Sequence, residues 1–374
     1  MKTTLPAILW FAARLACISL AMLLASCAST KHLYVAPQGA DSNSGTKEAP
    51  FQTIARADAA AAAGYTIHVA PGNYQVSAPG AHSAGIATSR SGTAAERLKF
   101  VSDVKLGAKI IVSGTGIAWR SKGSYVDIEG FDISGTGRHG IVADGAHLTI
   151  TNNFIHDLTI SGGCGGSGGA AIDTNGGVGH VLIKGNVVRN IGYAMLGKCN
   201  TVQGIYIANP NNIVVNNIVS GVAAAGIQQW HGATDSTITN NTVFRCKVGI
   251  LIGGGDAGVL PGGSQNNYVA NNIVYDNKTY GIIENGKIGS NNRYVNNLVA
   301  SSGTAVKMQK GVASGTISSN PLFVNYQVNG SGDYRVFNGS PVIDRGTATQ
   351  APKTDIAGVA RPRGAAVDIG AYEF

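Results

Sequence analysis

Ile238-Thr239-Asn240-Asn241, Val269-Ala270-Asn271-Asn272 and Tyr294-Val295-Asn296-Asn297 are copies of one pattern, a short run rich in strand-forming residues closed by an asparagine pair. The pattern also occurs upstream as Ile150-Thr151-Asn152-Asn153, Ile183-Lys184-Gly185-Asn186 and Val214-Val215-Asn216-Asn217, and successive final asparagines lie 33, 31, 24, 31 and 25 residues apart. A shortest unit of 24 residues, lengthened in some copies by insertions, predicts a solenoid of stacked coils with loops let out on one side. The units are β-branched, punctuated by some of the chain's 52 glycines and free of any helical apolar stripe, which argues against helical repeats.

A second series lies between the asparagines: Gly140-Ile141-Val142, Ala171-Ile172-Asp173, Gly204-Ile205-Tyr206, Gly226-Ile227-Gln228, Gly249-Ile250-Leu251, Gly281-Ile282-Ile283 and Ala305-Val306-Lys307. Side chains of a strand alternate between faces, so Ile141, Ile172, Ile205, Ile227, Ile250, Ile282 and Val306 form an inward column and the next residue of each points to solvent. Coils stacked at about 4.8 Å let every backbone donor and acceptor pair with the coil above or below. An inward asparagine at each bend can adopt the left-handed conformation and bond its copies in neighbouring coils. The predicted fold is all-β, a parallel β-helix over residues 34–319. Ala57–Ala63 reads as a short helix plugging its first end, and residues 320–374 read as a C-terminal capping module.

The first 26 residues hold Lys2, Arg14 and an apolar run over 16–24, the pattern of an export signal. Leu24-Ala25-Ser26-Cys27 resembles the bacterial lipobox, which implies acylation of Cys27, with residues 27–33 as a tether. Ala28 and Ser29 after it resemble outer-membrane sorting, so a membrane-anchored cell-envelope lipoprotein, most simply a monomer, is expected. Removing Lys2 and Arg14 from 28 basic residues against 20 acidic ones leaves +6, compatible with a polyanionic partner, with lipopolysaccharide contact or with simple solubility. No basic run with interleaved aromatics is present, which argues against nucleic acid. Cys164 and Cys199 stand 11 and 13 residues past their asparagines on insertions from successive coils, so they are expected to form a disulfide, with Cys246 a free thiol inside its coil.

Tyr34-Val35-Ala36-Pro37-Gln38-Gly39, Asp41, Gly45-Thr46, Ala49-Pro50-Phe51 and Ile67-His68-Val69-Ala70-Pro71-Gly72-Asn73-Tyr74 resemble the opening of right-handed β-helix proteins related to family-nine polysaccharide lyases. Asn320-Pro321-Leu322-Phe323, Asp333-Tyr334-Arg335, Gly339-Ser340-Pro341, Arg361-Pro362 and Asp368-Ile369-Gly370-Ala371-Tyr372-Glu373 resemble the module called choice-of-anchor Q. The first resemblance implies a right-handed coil and binding or eliminative cleavage of acidic polysaccharide, with calcium as cofactor and a basic side chain removing a proton. Asp173, Asp144 and Asn175 are the oxygen donors near the outward face, fewer than calcium's six to eight ligands.

The outward ladder reads Val142, Asp173, Tyr206, Gln228, Leu251, Ile283 and Lys307, and two positions on stand Asp144, Asn175, Ala208, Trp230, Gly253, Asn285 and Gln309. Asp173, Tyr206, Gln228, Trp230 and His231 fall within roughly 10 Å along the axis. His231 is a candidate base, Tyr206 a candidate proton donor and Lys307 a further base candidate, while Trp230, Gln228, Asn175 and Arg138 are candidate substrate contacts. Asp173 and Asp144 are candidate metal ligands. Exposed aromatic and amide ladders also stabilise stacked strands, so a non-catalytic glycan-binding or scaffold protein is the alternative. Glu284 falls at an inward phase, which means either a shifted register or burial with a partner such as Lys287.

Overall fold

Three parallel sheets, of 11, 9 and 9 strands, run the length of the repeat region, and each coil contributes one strand to each in turn along a right-handed parallel β-helix. The computed structural model describes residues 31–165, 168–174, 176–255 and 260–374. The export signal, Cys27 and Asn175 therefore lie outside the described residues. The first sheet carries the runs before the asparagine pairs, such as Thr237–Thr239, Tyr268–Ala270 and Arg293–Val295. Its first strand starts at Lys31, three residues before the expected boundary. The third sheet carries the isoleucine series, including Val202–Ile207, Ala225–Gln229 and Val248–Gly254. Between them is a sheet the two-series reading lacked, for example Ile218–Val222, Thr242–Phe244 and Ile273–Tyr275. These strands follow the asparagine pairs with a turn too short to register as a break.

The isoleucine column is paired in the expected register from Ile141 to Val306, and its isoleucines are buried. The glycine before most of them has a packing cause. A Cβ on Gly204 would lie 2.7 Å from Val219 Cγ1, and the same position in Gly226, Gly249 and Gly281 meets Val243, Val274 and Val299 of the middle sheet. Glycine and isoleucine thus both face the interior, and alternation is interrupted at that point. Ala225 and Val248, before the glycine, pack with Leu251, Tyr280 and Ile283 in an apolar cluster separate from the core.

The asparagine pair divides the work expected of a single residue. Asn152, Asn216, Asn240, Asn271 and Asn296 take left-handed φ between 49° and 57°, with Gly185 in the same place at 67°. The next residue points inward. Oδ1 of Asn186, Asn217, Asn241, Asn272 and Asn297 each accepts the backbone N–H and the Nδ2 of the preceding coil's asparagine at 2.9–3.0 Å. Replacing Asn241 by Ala leaves the buried N–H of Asn217 without its acceptor. We expect a loss of about 1–3 kcal/mol, read as a lower urea midpoint at unchanged slope.

The outward-turned first asparagines hold the C-terminal segment. Nδ2 of Asn216, Asn240, Asn271 and Asn296 donates to the carbonyls of Thr354, Asp368, Thr347 and Arg345 at 2.7–3.0 Å. Phe323, Tyr334, Val342, Ile369 and Ala371 bury the outer side of the middle sheet at Ile218, Phe244, Ile273 and Leu298. The tail accordingly lies along the flank of the middle sheet, and Val312–Ser314 of the last coil is exposed. The plug helix spans Ile54–Ala60, three residues earlier than expected, because Thr53 caps it by accepting the Arg56 N–H and the chain turns out at Ala61.

Glu284 is buried at the inward phase expected of it. Its partner is not Lys287: Oε2 accepts the backbone N–H groups of Gln309, Lys310 and Gly311 at 2.7, 2.8 and 3.0 Å, and Oε1 accepts from Tyr294 Oη at 2.9 Å. Burial acts to raise its pKa, but these hydrogen bonds outweigh it and hold the carboxyl below its usual value.

Candidate functional site

Outward residues of the third sheet, with the turns at its two margins, enclose a cleft of about 530 Å³. The floor carries His139, Asp173, Gln203, Tyr206 and Gln228. Arg138, Asn200, Thr201 and Lys247 enter from turns leading out of the middle sheet, and Trp230, His231 and Asn285 lie towards the first sheet. Polar floor residues follow from the register, since Asp173 pairs with Tyr206 and Tyr206 with Gln228 in adjacent strands.

Tyr206 and His231 meet edge-on with ring centroids 5.8 Å apart. His231 is itself a left-handed turn residue, φ 51°, two residues after the strand that carries Gln228. Trp230 lies over a floor of backbone: a Cβ on Gly253 or Gly286 would fall 2.7 or 2.8 Å from its ring, and Gly255 is closer still. The run Gly253-Gly254-Gly255 thus leaves room for the indole, one face of which is covered by backbone.

His139 Nδ1 lies 3.2 Å from Asp173 Oδ2, and both side chains are nearly buried. Burial and the charges of Arg138, Arg120 and His82 push His139 down to about 3, so it is neutral near pH 7. Arg138 Nε donates to Gly168 O at 3.3 Å. Lys247 Nζ donates to Asn200 Oδ1 at 2.6 Å and to Cys199 O at 3.2 Å. The Cys164–Cys199 disulfide is formed, with Cα atoms 5.1 Å apart, and Cys246 is a buried free thiol.

Of the residues expected at the site, Arg138, Asp173, Tyr206, Gln228, Trp230 and His231 line this cleft. Two others do not. Asp144 is bound to Arg120 Nε at 2.5 Å, and Lys307 lies three coils beyond Gln228, its Nζ 5.6 Å above the Tyr280 ring. Among the described residues no three His, Cys, Asp or Glu side chains converge as a metal site would require. Asp144, whose Oδ2 is held by Arg120, and Asp173, which lies against His139, would supply only a small part of the six to eight oxygens that calcium takes.

Strict alternation overlooked His139 and Gln203, because it turns residues two before the isoleucine column inward. Lys247 left a signal that was legible: it stands three residues before Ile250, as Arg138 stands three before Ile141.

Among solved structures, that of pectate lyase Pel9A superposes with a TM-score of 0.64 at 18% identity, over 92% of this chain and 97% of that one. A rhamnogalacturonan lyase gives 0.52 at 16% identity, covering 83% and 96%, and an alginate lyase from Paenibacillus sp. str. FPU-7 gives 0.51 at 15%, covering 78% and 99%. At these identities the likeness is one of fold. "Uncharacterized protein YwoF" of Bacillus subtilis (strain 168) is 27% identical over 345 aligned residues, 68% of this chain and 70% of that protein. Residues 33–313 match the family described as "Pel9A-like, right handed beta helix region", and the chain belongs to that family.

Proposed function

We propose that the cleft binds a strand of uronate-containing polysaccharide and cleaves it by β-elimination. In this reading His231 removes the proton on the carbon next to the uronate carboxylate. The electron pair forms a carbon–carbon double bond as the glycosidic oxygen leaves, and Tyr206 supplies that oxygen's proton. Arg138 lies in the cleft to offset the carboxylate's charge as the carbanion develops, and the open side of Trp230 offers a sugar face a stacking surface. The observation that carries the reading is the Tyr206–His231 pair, edge-on at 5.8 Å inside the cleft that also holds Arg138. Incubation with polygalacturonate, alginate and other polyuronates should raise ultraviolet absorbance as the unsaturated product forms. A flat trace with retained glycan binding would establish instead the second reading, a non-catalytic binder, which the apolar stretch Ala224, Ala225, Val248 and Leu251 of the lining favours.

No step here uses a metal, so we expect the rate to change less than about twofold when EDTA replaces added calcium. An absolute calcium requirement in the same assay would reject the His231–Tyr206 scheme.

We further propose that the protein is exported and tethered through acylated Cys27. The disulfide supports this, since such bonds persist in oxidising compartments. Radiolabelled palmitate should enter the intact chain and be lost from Cys27→Ala, which should partition out of the membrane fraction. Equal labelling of both would remove the anchor.

A further inference from the structure

We infer that Lys247 is a specificity-determining residue that grips a substrate carboxylate, and that the Cys164–Cys199 disulfide fixes where it does so. The inference rests on the proposed binding of polyuronate in the cleft. By register Lys247 belongs to the coil of Ile250, two coils beyond that of Ile205, yet its ammonium bonds Asn200 Oδ1 and Cys199 O, which lead into the strand carrying Tyr206. The contact therefore joins parts of the chain that are two strand spacings apart by register, roughly 10 Å, with the insertion rising along the axis to meet a side chain too short to cover that distance alone. Its root is held as well, since Lys247 O accepts both the backbone N–H of Thr279 at 2.8 Å and its Oγ1–H at 2.7 Å.

Two of the three ammonium donors are thus aimed at one short segment, and the third remains for a carboxylate oxygen of the polymer in the cleft that Lys247 lines with the Tyr206–His231 pair. The segment is not positioned by a regular strand. Cys199 and Asn200 follow the turn at Tyr193–Met195, and the segment is tied to the neighbouring coil's insertion by the disulfide and by Thr201 Oγ1 donating to Cys164 O at 3.3 Å. Without the disulfide, the two acceptors that bend Lys247 into place lose their covalent hold, and the ammonium is free to swing out to solvent. Arg138 occupies the equivalent place four coils earlier, so the two cations grip different sugar units of one chain.

The test compares Lys247→Met, Lys247→Arg, Cys164→Ser/Cys199→Ser and the combination of the methionine variant with the serine pair. Affinity electrophoresis and initial elimination rates are read on polygalacturonate and alginate and on their methyl esters, with circular dichroism to establish that each variant folds. Lys247→Met should weaken polyuronate binding and raise KM about tenfold, with the methyl esters bound as by the unaltered protein and Lys247→Arg recovering most of the loss. The serine pair should weaken binding by a similar factor and add nothing in the methionine background. Unchanged polyuronate affinity in Lys247→Met, or losses that multiply in the combined variant, would overturn the assignment. Should the unaltered protein bind polyuronate without cleaving it, the eliminative reading alone falls, because the affinity ratios still decide the role of Lys247.

Discussion

His231→Ala should lower the elimination rate on polyuronate by roughly 10²–10⁴-fold, the range of a positioned general base, while polymer affinity changes by no more than about threefold. Tyr206→Phe should fall in the same range, since in the proposed scheme the phenol oxygen donates the proton to the leaving sugar and phenylalanine keeps the ring that packs edge-on against His231. The two losses should be far from multiplicative. A concerted step that has lost its base gains little from the acid, so the double variant should sit within about tenfold of the slower single one. Rates on a substrate with a good leaving group separate the roles: such a substrate should rescue Tyr206→Phe and leave His231→Ala slow. If His231→Ala retains full activity, the proton is taken elsewhere in the cleft and the pairing has no catalytic meaning.

Glu373→Gln is expected to cost about 3–5 kcal/mol and to loosen the C-terminal segment before the coils unfold. Arg361 Nη1 lies 2.7 Å from Glu373 Oε2, and both side chains are inaccessible to solvent. Arg361 also donates to the carbonyls of Asp368 and Gly370, which closes the tail on itself at the point where it meets Asn240 and Thr242. Removing one charge leaves the other buried and unpaired, a larger penalty than the pair's own net contribution. Arg361→Met should therefore be about as harmful. Replacing both by apolar residues should recover only part of the loss, because Glu373 additionally accepts the N–H groups of Arg363 and Asp368, each at 3.0 Å. Thermal unfolding read beside limited proteolysis checks this: the variants should release fragments cut beyond residue 320 at temperatures where the coils remain intact. A single unfolding step at the unaltered temperature would show that the tail does not depend on the pair.

Local chemistry made the coil legible. Asparagine pairs and isoleucines recur because each coil must satisfy the same bend and fill the same interior, so a repeating physical demand leaves a repeating mark. The middle sheet left a weaker one. Its strands follow the asparagine bend without a break, and the outward positions that would show alternation are apolar at Ile218, Phe244 and Ile273 because the tail covers them. Nothing local in residues 320–374 says which surface of the coils they cover.

The sequence by itself determined the coil, its register and the outward row that contains Asp173, Tyr206 and Gln228, since these depend on period and on hydrogen bonds to immediate neighbours. Only the tertiary structure decided which members of that row form a cleft and which, like Lys307 and Asp144, stand outside it or are already paired. It also brought in His139, Gln203 and Lys247. The first two enter through a break in alternation at glycine, where a Cβ would strike Ile155 or Val219 of the middle sheet, and the place of the Lys247 ammonium is set by an insertion that rises from two coils before to meet it.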